Sequence, residues 1–179
     1  MSVRELVFRP GDMPPLFGDT TSTLIVDDDP KVAELVSRIL EAEGYHCTVA
    51  HNAADARALV DKQDFALALV DVMMPGESGL EVAADLLRDR PDVAVVMVTG
   101  VDDPKIAELA LDIGAYGYVV KPFAANQLLI TVANAGRRRC LEIERRAYQQ
   151  RLERRVDEQA ADLDDALLQL KEREGPIGP

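Results

Sequence analysis

From Thr23 onward the chain alternates five times between a short apolar run and a stretch of helical spacing, which leaves few folds open to it. "TLIV", ending at Val26, reads as a buried strand, and Asp29 with Pro30 then reads as a helix start, Asp as cap and Pro in the first turn. Val32, Leu35, Val36, Ile39 and Leu40 recur at helical spacing, and Gly44 stops that helix. "HCTVA" is a second strand, followed by a helix capped by Asn52 through Ala56, Leu59 and Val60. "FALALV" is apolar on both faces, as central parallel strands are, and Ser78 caps a helix over Gly79–Arg90. "VAVVMV" and "YGYVV" complete the strands, with a helix over Pro104–Ile113 closed by Gly114 and a last one starting near Asn126. Five β–α units in succession predict an α/β fold, a doubly wound parallel sheet with helices on both faces. Such sheets carry function in the crevice at the carboxyl ends of their strands.

Those ends are polar. The first strand runs into Asp27, Asp28 and Asp29, the third ends in Asp71, the fourth in Thr99, and the fifth leads to Lys121 and Pro122. Taken singly, each has a bland explanation. An Asp run is often a turn with a helix cap, Asp71 suits a turn, Thr99 suits a strand, and Lys–Pro is a common loop dipeptide. Their coincidence at four strand ends is what points to chemistry. Carboxylates brought together repel one another, and a hard divalent cation relieves the repulsion. Mg2+ takes oxygen ligands, one or two carboxylates with waters, and leaves room for a phosphoryl group. With a Lys to neutralise charge, a Thr hydroxyl to donate and a central carboxylate as nucleophile, the set specifies metal-assisted phosphoryl transfer to Asp71.

Composition narrows the partners. The formal net charge is −12, and it is concentrated in residues 1–124, where 22 acidic residues face 10 basic ones. That field disfavours direct binding to nucleic acid or anionic membrane. No apolar run approaches the ~20 residues of a membrane span, and Arg4, Glu5 and Arg9 interrupt any signal peptide, so a cytoplasmic location is expected. Cys47 and Cys140 are too few for a disulfide scaffold and read as reduced. His46 and His51 flank the second strand and read as structural or exposed, away from the crevice. Residues 1–21, with Pro10, Gly11, Pro14, Pro15 and Gly18, read as a flexible N-terminal extension.

The motifs "LIVDDDP", "LALVDVMMPGESGLEV", "VVMVTG" and "GAYGYVVKPF" resemble the receiver domain of two-component response regulators, over roughly residues 22–136. The resemblance implies a flavodoxin-like five-stranded sheet of order 2-1-3-4-5. It implies Asp71 as the aspartate phosphorylated by a cognate histidine kinase or phosphotransfer protein, with Mg2+ as cofactor. Asp28 matches the direct metal ligand, Asp27 its neighbour acting through water, and the Met73 carbonyl the third protein ligand. Lys121 matches the lysine that contacts the phosphoryl group, and its bond to Pro122 would be cis. Thr99 and Tyr118 match the switch pair, and Asp29 is left as a helix cap. Met73 and Val101 match the two positions flanking the path of hydrolytic water; both are apolar, so slow autodephosphorylation is expected. The activity expected is a self-catalysed switch and no conventional enzyme. An Asp-nucleophile phosphatase of similar fold usually needs an acid two residues after the nucleophile, where this chain has Met73.

A helical pattern continues from about Asn126 to Arg173 without a Pro, roughly 70 Å at helical rise. Leu141, Tyr148, Leu152, Val156, Leu163 and Leu170 form an apolar seam at heptad spacing with one irregularity, and a homodimeric coiled coil over residues 137–174 is the expected way to bury it. Residues 137–155 hold eight Arg and three Glu, while 156–174 hold seven acids with Lys171 and Arg173. Pairing those halves would suit antiparallel helices; helices joining receivers to output domains in the family usually run parallel, and parallel is the expectation. The segment also resembles linkers that precede HD-GYP-type outputs, so an output domain or a partner is expected as the recipient of the signal. Residues 175–179 read as a disordered tail.

Overall fold

The computed structural model describes residues 21–173, with side chains described for 22–161 and Leu163. The extension read into residues 1–21 (Thr21 apart), the tail 175–179 and the Leu170 side chain lie outside the described residues. Five strands and five helices alternate as expected. They are β1 (Thr21–Val26), α1 (Pro30–Glu41), β2 (Tyr45–Ala50), α2 (Ala53–Val60), β3 (Leu67–Asp71), α3 (Gly79–Asp89), β4 (Ala94–Thr99), α4 (Pro104–Asp112), β5 (Gly117–Val120) and α5 (Ala125–Arg173). All strand pairs are parallel, in the order β2-β1-β3-β4-β5.

The helix starts follow from local chemistry. Asp29, Asn52 and Asp103 each accept a hydrogen bond from a first-turn N–H. Ser78 and Glu81 close a capping box at the start of α3. Gly44 and Gly114 follow α1 and α4 at positive φ, where a side chain would be strained.

Alternation along each strand then divides the core in two. Leu24, Val26, Ala68, Val70, Val95 and Met97 pack with residues of α2, α3 and α4 on one face. Ile25, Leu67, Leu69, Val96 and Val98 pack on the other, against Ala33, Val36 and Leu40 of α1 and Leu128, Val132 and Ala135 of α5. Strands β3 and β4 are buried along their whole length, as their unbroken apolar runs require. Leu35 departs from the expected pattern: it follows the helical spacing of α1 yet is 49% exposed, because it lies at the edge of the apolar stripe and not over the sheet. Among the described residues, those up to Cys140 and those from Leu141 onward form separate compact units. Within the second unit, Leu141, Tyr148, Leu152, Val156 and Leu163 are all exposed.

Candidate functional site

Strand register, more than any single residue, builds the site. Val26 of β1 pairs with Val70 of β3, so the next residues, Asp27 and Asp71, leave the sheet side by side. Asp71 pairs with Val98, placing Thr99 one residue beyond it; Thr99 pairs with Val120, placing Lys121 beyond that. Three apolar strands thus deliver two carboxylates and an ammonium to one spot at their carboxyl ends.

There Lys121 Nζ donates to Asp27 Oδ2 at 2.7 Å and to Asp71 Oδ2 at 2.8 Å. The other oxygen of each carboxylate is held by its own chain: Asp29 N donates to Asp27 Oδ1 at 3.0 Å, and Met73 N donates to Asp71 Oδ1 at 3.2 Å. Asp27 and Asp71 are buried, at 3% and 5% exposure. Asp28 is less buried, and ligand oxygens of Asp27, Asp28 and Asp71 all lie within 4.8 Å of one another. Ionised, three carboxylates against one ammonium leave two negative charges in excess, and the donors are all oxygen. A hard divalent cation fits that set in both charge and ligand type.

Electrostatics at the site are finely opposed. Burial pushes the Asp27 carboxyl above its usual range, and its hydrogen bonds from Lys121 and the Asp29 N–H offset this only in part. For Lys121, burial works against the charge, but the hydrogen bonds to Asp27 and Asp71 outweigh it and raise the pKa. A carboxyl whose folded pKa is raised costs no stability below its unfolded value; the cost appears as pH rises through the folded pKa and is complete above it. At neutral pH the burial of ionised Asp27 therefore opposes folding, and its pairing with Lys121 offsets part of that cost. Asp27→Asn should raise the melting temperature of chelator-treated protein at neutral pH, and a lowered one would refute this balance. Lys121 acts in the opposite sense: its contribution is present at neutral pH and is lost only as pH rises through its raised pKa.

Thr99 is fully buried, and its Oγ1 accepts from Val101 N at 3.1 Å. Tyr118 Oη donates to Val101 O at 2.9 Å, so the peptide groups of one residue hold both hydroxyls. Met73 and Val101 are exposed, at 57% and 40%. Asp29 caps α1 as read from the sequence, and the Lys121–Pro122 bond is cis. Cys47 is half-buried, and burial pushes its thiol up to about 11, in keeping with an unreactive side chain.

Two residues near the crevice were not legible in the sequence. The sequence alone places His51 away from it, yet its Nδ1 sits 3.1 Å from the carbonyl oxygen of Asp27, because β2 ends beside β1. Arg57 of α2 reaches Glu77, in the loop after Asp71, and Asp85 of α3. No local pattern marks an exposed Arg as a partner of residues twenty and twenty-eight positions away.

A family model for the response regulator receiver domain matches residues 23–133. The chain belongs to the response regulator receiver family. Receivers of two-component systems are signal transducers that respond to phosphorylation of an aspartate. The receiver is 39% identical over 110 residues to the phosphate regulon transcriptional regulatory protein PhoB of Pseudomonas aeruginosa, covering 59% of this chain and 47% of that one. It is 38% identical over 112 residues to the uncharacterized transcriptional regulatory protein YkoG of Bacillus subtilis, covering 63% and 49%. The chain thus spans about half the length of the curated relatives it matches. Among solved structures, a CheY-like receiver domain protein from Methanospirillum hungatei superposes with a TM-score of 0.65 at 31% identity, over 69% of this chain and 98% of that one. NtrX from Brucella abortus gives 0.70 at 28% identity, over 74% and 31%. No helix among the receiver's described residues is long and apolar enough to cross a membrane.

Proposed function

We propose that Asp71 is the phosphoacceptor of this receiver, that Mg2+ assists the transfer, and that the signal leaves through the C-terminal helix. The observation that carries the reading is Lys121 bridging Asp27 and Asp71 beside Asp28 at the ends of three parallel strands. Asp28, Asp71 and the Met73 carbonyl would hold the metal, with Asp27 acting through water. Bound there, Mg2+ supplies charge neutralisation for the incoming phosphoryl oxygens. An Asp71 carboxylate oxygen attacks phosphorus in line with the phosphohistidine of a kinase or phosphotransfer partner. The O–P bond forms, the P–N bond breaks, and the leaving imidazole takes the electron pair and a proton. Lys121, already 2.8 Å from Asp71 Oδ2, remains to pair with the new phosphoryl oxygens. Thr99 turns its hydroxyl from the Val101 carbonyl oxygen, 3.5 Å away, to donate to a phosphoryl oxygen, and Tyr118 follows; the phosphorylated state is favoured by that differential contact. The test is incubation with a small-molecule phosphodonor. With Mg2+ the mass should rise by one phosphoryl group, and with a chelator it should not; a rise that ignores the metal would overturn the assignment.

Lifetime is a second prediction. Met73 and Val101 hold the two positions that in the family flank the path of hydrolytic water, and their apolar side chains cannot orient a water by hydrogen bonding. The phosphorylated form should persist for many minutes in intact-mass time courses, and loss within seconds would contradict this role.

The exposed seam of α5 supports a parallel homodimeric coiled coil and, through it, an output domain or partner; the resemblance of the segment to linkers before HD-GYP-type outputs supports that class. Facing geometry favours parallel helices over the antiparallel pairing suggested by the charge of the two halves. In register, Glu153 on one flank meets Arg151 and Arg155 on the opposite flank of the second copy, and Arg146 meets Glu144. An antiparallel pair centred on Leu152 sets each flank against itself, Arg151 beside Arg155 and Glu144 beside Glu158. With Cys47 and Cys140 replaced by Ala, Leu141→Cys should cross-link to itself on oxidation. Cross-linking only when Leu141→Cys is mixed with Leu163→Cys would show antiparallel helices. The acidic body argues against direct nucleic-acid contact by this part of the protein, and no membrane contact is proposed. A cytoplasmic site of action suits a partner kinase that presents its phosphohistidine to a soluble acceptor.

A further inference from the structure

Arg57 lies outside the cluster of acids and Lys121, yet it is the hub of an ion-pair network that ends in the loop carrying Met73. Its Nη1 donates to Glu77 Oε2 at 2.8 Å, and its Nη2 donates to the other oxygen of the same carboxylate. Nη2 also donates to Asp85 Oδ2 at 2.7 Å, and Arg88 takes the second Asp85 oxygen at 2.8 Å. The three side chains belong to α2, the β3–α3 loop and α3, so one guanidinium ties three segments together. A planar fork on both oxygens of Glu77 fixes direction as well as distance.

The centre of the loop is otherwise restrained by the Met73 N bond to Asp71 Oδ1 at 3.2 Å and by Met74, which packs against the core. Val72 N donates to Val98 O at 2.9 Å and Gly79 N donates to Val72 O at 3.0 Å, closing the loop at its base. The capping box of Ser78 and Glu81 fixes its exit into α3. Between these lie Met73, Met74, Pro75, Gly76 and Glu77, and Glu77 is the residue among them that Arg57 grips. Gly76 is at positive φ, a turn conformation in which a side chain would be strained.

We propose that Arg57 is a positioning residue for the metal site: by gripping Glu77 it holds the β3–α3 loop so that the Met73 carbonyl is presented toward Asp71 and Asp28. This rests on the metal site proposed above. Ordering the loop beforehand removes part of the entropy that metal binding must otherwise meet. Arg57, Glu77 and Asp85 are 35–42% exposed at their side chains, so the effect is that of a partly screened pair.

Mn2+ is the probe, counted as free ion by electron paramagnetic resonance in the full chain. Arg57→Gln and Glu77→Gln should each weaken Mn2+ binding about two- to fivefold, and the double variant should be no weaker than the worse single one. Asp85→Asn removes the α2–α3 tie and leaves the grip on Glu77; it should lower the melting temperature and leave Mn2+ affinity unchanged. If Asp85→Asn weakens Mn2+ as much as Arg57→Gln does, or if Arg57→Gln costs only stability, Arg57 is structural and the proposal is overturned. A wild-type chain that binds no Mn2+ would overturn the metal site itself, a result distinct from equal binding by wild type and variants.

Discussion

Asp71→Asn should leave the protein folded and unable to take up a phosphoryl group, with uptake from a small phosphodonor falling at least about a thousandfold. The side chains are alike in shape, and Asp71 is 5% exposed at the end of a strand buried throughout, so the amide occupies the same place. What changes is chemistry. An amide oxygen is a poor nucleophile toward phosphorus, Lys121 loses one of its two charged partners, and the acid cluster falls from three carboxylates to two. Intact mass after incubation with phosphodonor and Mg2+ reads the result directly. If the variant still gains one phosphoryl group, the acceptor is another carboxylate, with the more accessible Asp28 first in line, and the roles assigned to Lys121 and Thr99 must be redrawn.

Gly79→Ala should be the most disruptive substitution of a single hydrogen by a methyl in the receiver. A Cβ at Gly79 would stand 1.7 Å from the carbonyl oxygen of Asp71 and 2.7 Å from its carbonyl carbon. Both neighbours are backbone and cannot rotate away. Relief requires that the first turn of α3 lift from the end of β3, breaking the 3.0 Å bond from Gly79 N to Val72 O and loosening the packing of Val82 and Leu86. The expected loss is about 3 kcal/mol or more, at the upper end of overpacking effects. Chemical denaturation measures it. Phosphoryl uptake by whatever fraction stays folded should fall as well, because the displaced atom belongs to Asp71, the proposed acceptor. A variant as stable as wild type would mean that α3 can shift freely against β3, which would also weaken the case for a pre-ordered loop between them.

Much of this protein was legible in one dimension because local rules agreed with the fold. Asp29, Asn52 and Ser78 cap the helices they were expected to cap, since a side-chain oxygen before a helical run has a ready donor in the first turn. The unbroken apolar runs before Asp71 and Thr99 became the fully buried β3 and β4. Boundaries moved by a residue or two: β3 begins at Leu67 and not Phe65, because Phe65 packs into the core from the connecting loop. Leu35 shows the limit of periodicity, which reports direction around a helix and not how far the neighbouring layer extends.

The sequence by itself determined which residues stand at the strand ends, and therefore that acid, hydroxyl and ammonium groups would share a crevice once the sheet was parallel. Only the tertiary structure decided how they meet. Lys121 bridges Asp27, 94 positions away, and Asp71, 50 positions away, through a register set by side chains buried along β1, β3, β4 and β5. The same is true of His51 on the Asp27 carbonyl, of Arg57 on Glu77, and of Gly79 against Asp71. Each is a contact between segments whose separation in sequence carries no local signal. Helical and strand periods encode faces; partners across those faces are fixed only when the whole core packs.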